Sequence, residues 1–153
     1  MEDLSLHILD VAENSISSEA KRIEIRINED PDNDVLTIEI KDDGRGMDEQ
    51  TRPKALDPFF TTRTTRRVGL GLPMLAQAAR ETGGKIELDS SPGQGTTVKA
   101  TFCYSHPDRK PMGDIQETIR TLVMGHPEID LLYEHTRNGS LYRFDTRELT
   151  KND

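Results

Sequence analysis

The chain has 153 residues, a length that suits one domain with a small appendage and buries roughly 70% of its unfolded surface. With 28 acidic against 20 basic residues the net charge is −8, which argues against a general nucleic-acid binder and against docking on an anionic membrane. A single cysteine, Cys103, excludes an internal disulfide and a cysteine-built metal cluster, and its place in an apolar alternation reads as a small core residue. No signal-peptide pattern or long apolar run occurs, so the expected compartment is the cytoplasm.

Leu4 to about Ser17 carries Leu4, Ile8, Leu9, Ala12 and Ile16 at helical spacing and predicts an amphipathic helix. Two alternating stretches, "RIEIRIN" (Arg22 to Asn28) and "VLTIEIK" (Val35 to Lys41), flank the turn chemistry of "EDPDND" and predict an antiparallel hairpin. The second strand runs into "DDGRGMD". Gln50 to Leu56 allows a short helix, which Pro53 confines to one or two turns. After "DPFFTTRTTRRVGLGL", Leu70 to Glu81 predicts a helix with Leu72, Leu75, Ala76 and Ala79 on one face, stopped by Gly83 and Gly84. "KIELD" and "TTVKATFCY" form a second hairpin across "SSPGQG". The pattern breaks at "SHPDRKPMG". Beyond it, Asp114 to Met124 reads as a helix, and "IDLLYEH" and "SLYRFDT" read as a hairpin across "TRNG". The expected architecture is α+β, a two-layer sandwich with a mixed, largely antiparallel sheet under helices. The expected division is 1–104 for the main domain and 105–153 for a C-terminal extension of helix plus hairpin, in which no chemistry is recognisable.

Four short segments carry the candidate chemistry. Asp10 and Asn14 are four apart and share one helix face. A carboxylate beside a carboxamide suits a hydrated magnesium ion, which takes hard oxygens and keeps several waters, although an ordinary polar face has the same composition. In "DDGRG", Asp42 stands at a strand end before two spaced glycines, Gly44 and Gly46, which let the backbone approach a flat ligand. Asp42 is then placed to accept a hydrogen bond from an exocyclic amine; a plain tight turn is the alternative. Gly69 and Gly71 open a helix whose first amides are unpaired, an anion site. Thr61, Thr62 and Arg63 add hydroxyls and a guanidinium for phosphate, and Phe59 and Phe60 anchor that loop as the hinge of a flap. Five basic residues between Gln50 and Leu70, against the single acid Asp57, make a local positive patch for a small anion. The fourth segment, "GQGTTV", alone says only turn and strand start. Walker and dinucleotide fingerprints are absent from the sequence, and "DPDND" fails as a calcium loop because Val35 and Lys41 stand at ligand positions.

In this order the segments resemble the GHKL nucleotide-binding domain shared by sensor histidine kinases, DNA gyrase B, MutL and anti-sigma serine kinases. "DVAENS" is similar to the N box, "DDGRG" to the first glycine box, "DPFFTTR" to the F box, "GLGL" to the second glycine box and "GTT" to the third. The resemblance covers roughly residues 4 to 104 and is strongest to the histidine kinases. It implies ATP and magnesium as ligands. By position, Asn14 would bind magnesium and Asp42 would read the adenine amino group beside Gly44 and Gly46. Gly69, Leu70, Gly71 and Leu72 would hold the phosphates, and Thr96 and Thr97 would line the purine end.

The departures from the family pattern set the functional expectation. Where hydrolysing members carry glutamate and most histidine kinases carry asparagine, this chain has Asp10, a carboxylate able to take a proton from an attacking nucleophile. His7 stands one turn away and is a candidate to orient it, with a plain helix-surface residue as the alternative. The flap between "FFTTR" and "GLGL" is short. None of His106, His126 or His135 has the context of a phosphorylatable histidine, and the sequence begins directly with the nucleotide-binding segment, so autophosphorylation on histidine is not expected. Two functions follow. One is an ATP-dependent phosphotransferase acting on a separate protein, with Asp10 as catalytic base. The other is an ATP-responsive switch that sequesters or releases a protein partner, with slow hydrolysis as reset.

Overall fold

The structure is a computed structural model and describes residues 3–50, 55 and 71–151. Helix α1 spans Leu4–Ser17, where Leu4, Ile8, Val11 and Ala12 line one face and are buried. Asp3 caps it, accepting the Leu6 amide at 3.2 Å and the Ser5 hydroxyl at 2.6 Å. The Leu4 and Ser5 amides donate to the carbonyls of Pro111 and Met112, each at 2.9 Å. The orphan donors at the start of α1 are therefore satisfied by a segment a hundred residues downstream.

Strands β1 (Arg22–Asp30) and β2 (Val35–Asp42) form the first hairpin, with Ile25 opposite Ile40 and Ile27 opposite Ile38. Helix α2 (Gly71–Arg80) leads into β3 (Lys85–Ser91) and β4 (Gly95–Cys103). Helix α3 (Ile115–Gly125), β5 (Asp130–Arg137), β6 (Ser140–Asp145) and a short α4 (Thr146–Lys151) complete the chain. The strand order is β3-β4-β2-β1-β5-β6. Every pairing is antiparallel except that of β1 with β5, which is parallel. The fold is thus the α+β sandwich with a mixed, largely antiparallel sheet.

Period-two alternation decides which face is covered. Ile23, Ile25, Ile27, Leu36, Ile38, Ile40, Val98, Ala100 and Phe102 point inward and are buried. Helix α1 packs on α2 and α3, and α2 lies against β3 and β4. The opposite face is charged and bears a closed ring of ion pairs. It runs from Arg22 to Glu24 (3.1 Å), Arg26 (2.8 Å), Glu134 (2.9 Å), Arg143 (3.3 Å) and Asp145 (3.5 Å), and back to Arg22 (3.4 Å). Asn138 and Gly139 both have positive φ, as expected for the tight turn between β5 and β6. Strands β5 and β6 thus extend the same sheet.

Cys103 departs from expectation. Phe102 takes the inward position, so Cys103 faces the other side, half-buried, with its thiol donating to Asp34 at 3.2 Å. Helix α4 was not anticipated, because six residues are too few to display a period.

A second polar cluster ties β1 to β5. Glu29 accepts the Tyr104 hydroxyl at 3.1 Å and the His135 Nε2–H at 2.5 Å, and His135 Nδ1 is hydrogen-bonded to the Tyr133 hydroxyl at 2.7 Å. Burial pushes the Tyr133 phenol up to about 12, with Tyr142 and Glu29 adding to the shift. Burial also opposes ionisation of Glu29, but the hydrogen bonds from His135 and Tyr104 outweigh it and hold its carboxyl below the ordinary value. A depressed folded-state value adds stability that is complete above the ordinary glutamate value and is lost as pH falls through the folded one. Glu29→Gln is therefore expected to flatten the fall in melting temperature between about pH 5 and pH 3. Melting curves across that range check it, and an unchanged slope would remove Glu29 from the acid response.

Candidate nucleotide-binding site

Helix α1 forms one wall of the site. Asp10 is exposed and Asn14, one turn on, is half-buried on the same face. Among the described residues no hydrogen bond engages the Asn14 carboxamide. Glu13 turns the other way, with its carboxylate 3.0 Å from His126 Nε2. His7 is fully buried in the row facing the core.

At the far end of this wall β2 finishes at Asp42. Its register partners are Ile23 on β1 and Thr96 on β4, so the Asp42 and Thr96 side chains share the helix-covered face. The Ser15 hydroxyl of α1 donates to one Asp42 oxygen at 2.6 Å, and the Gly44 amide donates to the other at 2.9 Å. The carboxylate is thereby aimed, with lone pairs still open. The turn that follows is seated tightly. A Cβ on Gly44 would lie 2.7 Å from the Ser18 carbonyl oxygen. Gly46 has φ +74°, and its Cβ would lie 2.0 Å from the Ser91 carbonyl oxygen, so conformation and space both require glycine there. The Met47 amide donates to the buried Ser90 hydroxyl at 2.8 Å, tying the turn to the end of β3.

The other end of the site is the start of α2. Gly71 and Leu72 present amides that have no acceptor within the helix, and Pro73, which has no amide, fits the first turn without loss. A Cβ on Gly71 would fall 2.3 Å from the Asp10 Cβ, 3.0 Å from the Val11 nitrogen and 3.1 Å from the His7 carbonyl oxygen. Here glycine is required by space, and it lets the helix start press directly on Asp10. Leu72 puts its side chain in the core and offers the site only backbone.

The structure therefore brings Asp42, Gly44, Gly46 and Thr96 together at one end and Gly71, Leu72 and Asp10 at the other, with Asn14 on the wall between. Thr97 is not brought to this group. It pairs with Lys41 and faces the open side of the sheet, since neighbouring strand residues point opposite ways. Thr61, Thr62, Arg63, Gly69 and Leu70, with the Phe59–Phe60 hinge and most of the short helix expected after Gln50, lie outside the described residues. Two residues escaped sequence reasoning, Ser15 and Ser90. A hydroxyl next to the magnesium-type asparagine, and another opposite the threonine of the third glycine box, were the available signals.

No cluster of three or more histidine, cysteine or acidic residues able to hold a metal occurs among the described residues. The single open carboxamide at Asn14 instead fits a magnesium ion carried largely by water and phosphate oxygens, its usual mode beside a nucleotide.

An aimed carboxylate at one end of α1 and a helix start at the other suit a nucleotide, with its base at the first and its phosphates at the second. The family model for histidine kinase-, DNA gyrase B- and HSP90-like ATPases matches residues 2–106, and the chain belongs to that family. Its domain is an ATP-binding module of the histidine-kinase type. It is 38% identical over 88 residues to a probable C4-dicarboxylate sensor kinase of Bacillus subtilis, covering 58% of this chain and 16% of that protein. It is 34% identical over 110 residues to the sensor protein kinase FleS of Pseudomonas aeruginosa, covering 72% of this chain and 27% of FleS. The chain thus spans only about a quarter or less of these relatives. Among solved structures it is similar to the ADP-complexed ATPase domain of Aquifex aeolicus MutL, with a TM-score of 0.56 and 14% identity over 94% of this chain and 62% of that one, a likeness of fold.

Proposed function

We propose that this protein binds ATP with magnesium and transfers the terminal phosphate to a separate protein partner. The observation that carries the reading is the contact between Gly71 and Asp10. The helix start suited to phosphate meets the Cβ of Asp10, the residue whose carboxylate suits proton abstraction in this reading. Asp10 and Ser15, which holds Asp42, are separated by about 7.5 Å of helix rise, the interval along which ribose and phosphates would run.

In this mechanism Asp42 and Thr96 hold the adenine edge, and the Gly71 and Leu72 amides hold phosphate oxygens. Asp10 removes the proton from an acceptor hydroxyl as that oxygen bonds to the terminal phosphorus; the bond to the bridging oxygen breaks and ADP leaves. Magnesium, with Asn14 as its protein ligand, would neutralise charge on the phosphates.

Incubation with ATP labelled on its terminal phosphate, in a lysate of the protein's own cells, is expected to label another protein. Asp10→Asn should cut that labelling at least about 100-fold while leaving ATP affinity within about threefold. Asn14→Ala should instead weaken binding only when magnesium is present. Equal labelling by wild type and Asp10→Asn would remove Asp10 from the chemistry. Association with a partner that depends on nucleotide, without any labelled acceptor, would favour the switch.

A further inference from the structure

We infer that the open edge of the sheet at β6 is a docking surface for a protein partner, which adds an extended segment alongside β6 with a carboxylate at one end and apolar side chains at the other. The inference does not rest on the nucleotide reading. It concerns another part of the molecule, two strands beyond β1.

Strand β6 is the last in the sheet, and among the described residues no strand lies beyond it. Its inner side pairs with β5, and residues 140–144 make no outward backbone hydrogen bond to any described residue. Edges of this kind are normally guarded by charge, proline or a bulge. The opposite edge strand, β3, is guarded by Lys85, Glu87 and Asp89, all exposed. On its helix-covered side β6 instead presents Ser140, Tyr142 and Phe144. Its one cation, Arg143, lies on the other face and is held by Glu134, Asp145 and Glu148.

A groove of about 250 Å³ runs between α3 and β6. Ile119, Val123 and Met124 line it from the helix, and Tyr133, Tyr142 and Phe144 line it from the sheet. A second hollow of about 350 Å³ shares Gln116, Tyr133 and Tyr142 with it and ends at Arg137 and Ser140. Met124 is 74% exposed, Leu141 57% and Tyr142 52%, the three most exposed large apolar side chains among the described residues. Their gathering at one edge marks an interaction surface. From Gln116 to Met124 the helix rises about 12 Å, the length of roughly four extended residues.

Charge decides what fits. Arg120 and Arg137 border the groove, and both are exposed. Arg120 has Glu117 beside it at 2.5 Å on the same helix, a solvent-exposed pair that another carboxylate can replace at little cost. Glu29 is the one acid among the described lining residues; it is engaged by Tyr104 and His135 and lies 4.0 Å from Arg137. Arg137 stands opposite Ser140, whose small side chain leaves the guanidinium room to reach an added strand. The occupant therefore brings a carboxylate to the Ser140 end and, on alternate residues, apolar side chains to Tyr142 and Phe144. A second copy does not supply this pattern. On the helix-covered side its open edges offer Ile86, Leu88 and Ser90 of β3, or Ser140, Tyr142 and Phe144 of β6, with no acid among them.

The test titrates into the full chain a capped peptide of alternating valine and threonine with aspartate at one end, and the same sequence reversed, since a strand can add in either direction. One of the two is expected to bind at least about tenfold more tightly than its counterpart with lysine in place of aspartate. Methylating the backbone nitrogens that face β6 should abolish this binding, because strand addition works through main-chain hydrogen bonds. Met124→Glu, which gives Arg120 a competing carboxylate one turn away, and Arg137→Ser should each weaken it at least about tenfold. Both positions are exposed, so melting temperature and ATP titration should match wild type, and Leu6→Glu, at an exposed apolar position on α1, should bind the peptide as wild type does. Binding of neither direction, equal binding of the aspartate and lysine peptides, or wild-type affinity in both groove variants would overturn the proposal. Self-association of the wild type in sedimentation, abolished by Met124→Glu, would overturn it as well and give the groove to a second copy.

Discussion

Gly71→Ala is expected to lower both stability and ATP affinity, although the change adds one methyl group. The added carbon would stand 2.3 Å from the Asp10 Cβ and 3.0 Å from a backbone nitrogen of α1. Neither atom belongs to the far end of a flexible side chain, so the start of α2 must move away from α1. Overpacking of this kind costs about 1–3 kcal/mol. The same displacement carries the Gly71 and Leu72 amides off the phosphate position, and ATP affinity should fall at least about tenfold. A thermal melt and an ATP titration of the variant measure the two losses. Wild-type values in both would mean that the close approach of α1 and α2 is incidental.

Asp42→Asn is expected to have the larger effect on binding and the smaller one on folding. The side chain keeps its shape, so the turn at Gly44 and the pairing of β2 with β4 have no steric reason to change. The chemistry of the edge does change. The carboxylate accepts from the Ser15 hydroxyl and the Gly44 amide and keeps lone pairs for a ligand amine. An amide has one acceptor atom and one donor group, so it cannot serve all three. Turned one way its NH2 group opposes the Gly44 amide, and turned the other way it displaces the Ser15 proton toward the Val11 carbonyl. Loss of a charge-assisted contact together with that opposition should weaken ATP about 100-fold, or roughly 2.7 kcal/mol.

Much of the framework was legible because it rests on short-range periodicity. The isoleucines of β1 and β2 alternate, α1 repeats its apolar residues every three or four positions, and the Asn138–Gly139 pair announces a hairpin. The parallel pairing of β5 with β1 was not legible, because alternation says which face a strand buries and nothing about which strand it joins. At the site, the spacing of Asp10 and Asn14 and the glycines around Asp42 could be read from local rules. Ser15 and Ser90 act across 27 and 6 residues of sequence, on Asp42 and Thr96 respectively. A serine hydroxyl carries no signature of its partner. Thr97 shows a signal present but unused: two adjacent strand residues cannot both face the same ligand, and Thr96 is the one that pairs with Asp42.

Calorimetric titration of ATP into the full chain with magnesium supplied tests the central claim most directly. The account predicts saturable binding at one site per chain, weakened about 100-fold in Asp42→Asn. Absence of any binding heat with ATP at about millimolar concentration, where even a contact of roughly 4 kcal/mol would register, would contradict it.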